Sequence, residues 1–346
     1  MKRFALLIFL IAFSSASYAR DSYKVAWSIY VGWMPWGYAS EKEIVKKWGD
    51  KYGIDIEVVQ INDYVESINQ YTAGSFDATA MTNMDALTIP AAGGVDSTAL
   101  IIGDFSNGND GVVLKGKKSL EEIKGESVNL VELSVSHYLL ARGLDSVGLK
   151  ESDIKVVNTS DADMVAVYGT DSVKAVSTWN PLLSEIEAMP DSTKVFDSSK
   201  IPGEIIDLLV VNTETLKKNP NLGKALVGAW YEIMGLMSAK DKSGEEVRTW
   251  LGKASGTDLK GYEAQLASTE MFYKPADAIK FANSEALLST MKKVSEFSFT
   301  HGLLGDGAPN AEFIGIETPK GTFGDKSNVK LRFTSEYMQM AEDAKL

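Results

Sequence analysis

Two α/β lobes, each a mainly parallel sheet flanked by helices, with a helical C-terminal stretch: this is the fold class that the sequence predicts. Three observations carry it. Strand-like and helix-like segments alternate at the spacing of βαβ units from Tyr23 to Val211. A Gly-rich, mostly polar run, Asp104–Gly111, interrupts the alternation once, after which it restarts. From Pro220 onward the pattern is almost entirely helical. A length of 346 residues suits two domains, because single cores usually stop growing at roughly 250–300 residues.

Before the fold comes a leader. Lys2 and Arg3 precede the apolar run Phe4–Phe13, and Ser17 and Ala19 supply small residues at the −3 and −1 positions. This pattern predicts a secretory signal over residues 1–19. The run is too short to cross about 30 Å of hydrocarbon as a helix. No later segment approaches 18 apolar residues, so an exported chain in a bacterial periplasm is expected.

Then follow a strand at 23–30 and a helix at 40–51, the latter with Ser40 as N-cap and Glu43 completing a capping box. Strands are expected at 54–60, 76–81 and 97–103, with helices at 63–73 and 83–92 between them. Beyond the break, strands at 112–114, 127–130, 154–157, 175–178 and 205–211 alternate with helices at 120–123, 135–146, 162–168 and 181–189. Helices at 225–237, 245–251 and 276–294 complete the chain. The expected division is 20–110 with 212–346 as lobe 1 and 111–211 as lobe 2, hinged near 110–112 and 205–211.

Composition removes several functions. With 35 Lys and Arg against 47 Asp and Glu, the net charge is −12 and becomes −14 once Lys2 and Arg3 leave with the signal. Such a chain repels phosphate backbones, so no nucleic-acid partner is expected. Without cysteine there is no disulfide, thiolate metal site or thiol nucleophile. Two histidines leave little material for a His-based metal site or a Ser-His-Asp triad. No phosphate-loop, dinucleotide, zinc-protease, nucleophile-elbow or EF-hand motif occurs. No enzyme activity, cofactor or metal is expected.

Ligands in open α/β sheets bind beyond the carboxyl ends of the strands. The loops there, 27–38, 81–90, 104–111, 131–138, 177–181 and 203–208, hold Asp85, Asp104, Asp110, Glu132, Glu204 and Asp207, and neither Lys nor Arg. They also hold Tyr30, Trp33, Trp36, Phe105, Tyr138 and Trp179. The ligand this favours is not an anion. Three Trp within ten residues, Trp27, Trp33 and Trp36, spaced by Gly32 and Pro35, form no single amphipathic face and read as a strand entering a loop. Trp33 and Trp36 are the candidates for an aromatic wall, Trp27 for the core. Thr82 and Asn83 serve equally as helix caps or as ligand groups, and Asp85 equally as a first-turn carboxylate. Ser134 is a natural N-cap for the helix at 135–146, whereas Glu132 has no such structural role. His137 reads as an ordinary first-turn residue. Asp207 lies in an apolar run and, if buried, needs a partner that a cationic ligand would supply.

With these residues in view, the chain resembles the periplasmic substrate-binding proteins of ABC importers, in the nitrate/taurine-type cluster with the two-lobed type II fold. The resemblance spans the mature sequence. It rests on the aromatic opening loop, the run Asn69–Ala78, Ser119–Gly125 before a strand, and the helix at 134–140. Tyr30–Trp36 and Met81–Gly94 are similar to the subgroup linked to urea carboxylase, which implies uptake of guanidine or a related nitrogen-rich solute. A thiamine-pyrimidine-precursor synthase shares the fold but needs cysteines and histidines that are absent here. What the resemblance implies is a monomeric receptor that delivers its ligand to an ABC permease in the inner membrane. Guanidinium would be held by Asp85, Glu132 and Asp207, covered by Tyr30, Trp33, Trp36 and Trp179, with Asn83 or Ser134 taking remaining donors. The alternatives are urea, another small amide or amine, a sulfonate-type solute and, from another class, a secreted hydrolase.

Overall fold

A computed structural model describes residues 20–346; the expected signal at 1–19 lies outside the described residues. Along the chain, β1 (Ser22–Trp27), β2 (Asp55–Gln60), β3 (Ala78–Thr82) and β4 (Ser97–Ser106) enter one sheet. The next five strands build a second, smaller sheet: β5 (Asp110–Lys115), β6 (Ser127–Leu130), β7 (Lys155–Asn158), β8 (Ala175–Trp179) and β9 (Ser192–Asp197). The chain then returns to the first sheet with β10 (Ile206–Asn212), β11 (Thr269–Met271), β12 (Gly315–Thr318), β13 (Gly321–Phe323) and β14 (Val329–Phe333).

The larger sheet runs β13-β12-β14-β4-β10-β3-β1-β2, with β11 on the end of β4, and the smaller runs β7-β6-β8-β5-β9. This is the two-lobed α/β architecture expected. In detail both sheets are mixed. The pairs β1–β2, β1–β3, β6–β7 and β6–β8 are parallel, whereas β10 runs antiparallel to β3 and β4, and β5 antiparallel to β8 and β9. The cause is connectivity: β5 is the strand by which the chain enters the smaller sheet, and β10 the strand by which it returns to the larger one. Its two crossings are tied together, since Ser198 Oγ lies 2.6 Å from Ser106 Oγ and accepts from the Gly108 N–H at 2.7 Å.

Local differences from the expected elements have identifiable causes. Pro35 lies in the first turn of a helix at Met34–Glu41, so the helix begins six residues before Ser40. Ser40 therefore sits in that helix and caps nothing; a second helix, Ile44–Tyr52, restarts after Glu43 in a left-handed conformation (φ 55°). The break at Asp104–Gly111 shrinks to residues 107–109, because β4 and β5 extend inward from both sides. At the C-terminus, strands β11–β14 occupy what reads as helical sequence; Val329, Leu331 and Phe333 alternate with Lys330 and Arg332, and Gly321 (φ 140°) turns the β12–β13 hairpin. Short strands such as these give little periodicity. The helix Pro220–Ser238 is as expected, with Asn219 accepting from the Asn221 N–H as its cap, and it packs against Ile44–Tyr52. No helix among the described residues is long and apolar enough to cross a membrane.

Candidate functional site

Between the two sheets lies a tight cavity of about 10 Å³, lined by Tyr30, Trp33, Tyr64, Thr82, Ile205 and Asp207 from the larger-sheet half and its crossing, and by Asp110, Val135 and Trp179 from the smaller. That is about the room a single water needs, so the walls close tightly on the space. Its walls are aromatic. Trp33 lies between Tyr30 (ring centroids 4.9 Å apart) and Tyr64 (5.4 Å). Tyr64 meets Trp179 edge-on at 5.7 Å, so rings from the two halves touch across the cavity. Trp33 Nε1 is buried and has no acceptor.

Around these rings four aspartates are buried. Asp85, Asp104, Asp110 and Asp207 are each no more than 2 % exposed. One oxygen of each has no hydrogen-bond partner: Asp85 Oδ1, Asp104 Oδ2, Asp110 Oδ2 and Asp207 Oδ2. Among the described residues, no Lys, Arg or His lines the cavity. An unpaired carboxylate in such a place is expensive and responds by holding its proton. Burial first, and then mutual repulsion, push Asp104 and Asp110 up to about 7 and Asp207 well above its ordinary value. Asp85 rises only to about 6, again through burial. Its Oδ2 accepts from Tyr64 Oη at 2.6 Å and from Thr82 Oγ1 at 2.8 Å, and these bonds favour the ionised form.

Each position follows from local sequence. Thr82 ends β3 and caps the short helix Asn83–Ala86, which turns Asp85 back toward Tyr64. Tyr64 opens the helix that Asp63 caps, at the carboxyl end of β2. Asp104 and Asp207 are cross-strand partners on β4 and β10, and Asp110 opens β5 opposite Trp179 on β8. Gly32 lets the aromatic turn approach: a Cβ there would stand 2.3 Å from Asp104 Oδ2 and 2.9 Å from the Tyr30 ring.

Of the residues expected at the site, Tyr30, Trp33, Trp179 and Asp207 line the cavity, and Asp85 stands directly behind Tyr64 and Thr82. Four others are corrected. Glu132 is solvent-exposed, because the Val131–Ser134 turn points its side chain outward. Ser134 is consumed as the cap of Val135–Ser146, accepting from the Ser136 N–H and donating to the Val131 carbonyl. Asn83 fastens β10, donating to the Glu204 carbonyl and accepting from the Ile206 N–H. Trp36, carried on a helix rather than a loop, stacks on Trp230 at 5.3 Å, one layer behind the wall. Tyr64, Val135 and Ile205 went unselected, as did Asp104 and Asp110 despite lying in acidic loops. The loop after β2 carried the signal for Tyr64, since it too lies beyond a strand's carboxyl end.

Comparison with known proteins places this geometry in a lineage. The profile of the family described as NMT1/THI5 like matches residues 44–240. A putative binding protein from Brucella abortus is 24% identical over 225 residues, covering 64% of this chain and 68% of the relative. The taurine-binding periplasmic protein of Escherichia coli is 23% identical over 129 residues, 36% of this chain and 40% of that protein. Among solved structures, the periplasmic aliphatic sulphonate-binding protein SsuA of Escherichia coli superposes with a TM-score of 0.66 at 18% identity, covering 83% of this chain and 95% of that one. The periplasmic nitrate-binding protein NrtA of Synechocystis gives 0.65 at 13% identity, covering 94% and 89%. The chain thus belongs to the NMT1/THI5-like family and has the fold of its sulphonate- and nitrate-binding structural neighbours.

Proposed function

We propose that this protein is the solute-binding component of an ABC importer, a periplasmic monomer rather than an enzyme, and that it delivers a small nitrogen-rich cation to an inner-membrane permease. Guanidinium fits best. The observation that carries the reading is an aromatic-walled cavity lined by Asp110 and Asp207 and by no base among the described residues, with Asp85 and Asp104 buried around it and each of the four keeping one unpartnered oxygen. A planar cation with N–H donors on every edge satisfies carboxylate oxygens as an Arg side chain does. Its faces meet the negative faces of Trp and Tyr rings. Asp207, Asp110 and Asp85 are the charge partners in this reading, and Trp33 and Trp179 cover the faces.

The relatives named for sulphonate, taurine or nitrate point to solutes that each carry an anionic group, but such a group in this cavity would meet Asp110 and Asp207 and no base. Solute specificity in a shared fold is a property of the site and not of the fold. Isothermal titration with guanidinium, urea and taurine tests the reading. Heat from guanidinium supports it; heat from taurine alone overturns the charge argument, and heat from urea alone assigns the cavity to a neutral amide.

A further inference from the structure

The helix Val135–Ser146 belongs to the smaller-sheet half, and its first residue, Val135, lines the cavity. A helix start carries partial positive charge and backbone N–H groups without an intrahelical acceptor. Ser134 takes the N–H of Ser136 and leaves that of Val135 uncapped. From the larger half Asp85 faces it, and the Val135 N–H favours the ionised form of its carboxylate.

Two hydroxyls complete the surroundings. Tyr64 Oη donates to Asp85 Oδ2 at 2.6 Å, and Thr82 Oγ1 donates to the same oxygen at 2.8 Å. Tyr64 Oη also accepts from the Thr82 N–H at 3.0 Å, so its one proton is left for the carboxylate. Asp85 Oδ1 is buried and has no close partner. Donors from three elements therefore surround one carboxylate: the helix Tyr64–Thr72, the end of β3, and a helix start from the opposite half. Hydroxyls and a helix N-terminus hold a small oxyanion where no base is at hand. Here the anion belongs to the chain.

We propose that Asp85 is the built-in occupant of an oxyanion pocket and sets the charge specificity of the cleft. Its carboxylate faces the helix start, so an anionic solute finds no free positive pole between the halves. Asp85→Ala removes the carboxylate and keeps the donors, and free formate restores the same charge in the same place. Asp85→Asn keeps the space filled and leaves formate no room.

The inference rests on the cation reading of the cavity, but its test needs no cation. Calorimetric titration of formate, with chloride at equal ionic strength as control, compares the wild type, Asp85→Ala and Asp85→Asn at pH 8. Asp85→Ala should bind formate about tenfold or more tightly than the other two, as hydrogen bonds to a charged group imply. A folded Asp85→Ala that gives no formate heat, or equal binding by all three proteins, overturns the inference. Guanidinium heat has no part in that result, so a failed cation reading and a failed pocket are told apart. The Val135 amide supplies a check that does not need the alanine variant. In ¹⁵N-valine-labelled protein, assigned with Val135→Ile, its proton should move upfield in Asp85→Asn relative to the wild type. An unmoved amide overturns the contact on which the pocket depends.

Discussion

Asp207 and Asp104 stand directly opposite each other on the antiparallel strands β10 and β4, both buried and with no base beside them. Burial raises both, and two such carboxylates relieve their repulsion by sharing a proton. A bound cation offers the other relief. On the proposed reading the site resists ionisation until its cation arrives, and this gives the first prediction. Asp207→Asn should weaken guanidinium binding by about 30-fold or more, since truncating one partner of a buried charge pair costs roughly 2–5 kcal/mol. The same variant should melt higher than the wild type without ligand, because it removes a crowded acid. Titration and thermal melts on one preparation check both signs; a loss of binding accompanied by a lower melting temperature would point to damage instead.

The pH dependence follows from the same carboxylates. Their ordinary value in the unfolded chain is about 3.9. In the fold, burial raises Asp85 to about 6, Asp104 and Asp110 to about 7, and Asp207 well above its ordinary value. Between about pH 4 and 7 the native state therefore binds more protons than the unfolded one, and ligand-free stability falls as pH rises through that window. A cation needs the ionised forms, so its affinity should rise from pH 5.5 to pH 8, with protons released on binding. Titration in buffers of different ionisation enthalpy measures that release directly. Affinity that is flat with pH would mean a neutral ligand.

Trp33 and Trp179 approach the cavity from opposite halves. Replacing either with Leu keeps an apolar wall but removes the ring face, which contributes on the order of 0.5–2 kcal/mol to a cation. Guanidinium binding should weaken about 2- to 30-fold, and urea binding far less. Equal losses for the two solutes would assign the rings a purely steric role.

Glu132 and Trp36 separate sequence position from site membership. Glu132→Gln, at an exposed position, should leave affinity within about twofold. Trp36→Ala empties the contact with Trp230 and should cost about 3–5 kcal/mol of stability. Denaturant melts and titration of the two variants distinguish a wall from its backing.

Gly32→Ala tests how closely the aromatic turn must approach. The new methyl would stand 2.3 Å from Asp104 Oδ2, so the carboxylate or the turn has to move. Affinity should fall although no ligand-contacting side chain has changed, and Gly32→Ala combined with Asp104→Asn should lose less than the two single losses added. Strict additivity would show that Gly32 acts elsewhere.

The sequence made much of this readable where one signal dominated. Alternation placed most strands, and the Ser134 cap fixed the helix Val135–Ser146 to the residue. Asp207 in an apolar run was readable as a buried acid because a strand inside a sheet leaves its side chain no route to water. Glu132 and Asp85 show the limit: two acids beside helix starts look alike in sequence, and only the turn geometry sends one outward and folds the other under Tyr64. Asp104 and Asp110 were obscured by their company. Polar and glycine neighbours read as a linker, yet the strands continue through them and bring both acids into the interior. The convergence of His137 and His301 on Glu151 joins residues 164 apart and has no local trace at all.

The contact between Tyr64 and Trp179 also has a kinetic side. A solute enclosed behind two rings from opposite halves leaves only when those rings part. On the proposed reading its residence time would be set by the opening of the molecule more than by the strength of any one bond to the cargo. A docked permease that favours the parted form would then discharge the receptor without competing for a single ligand contact.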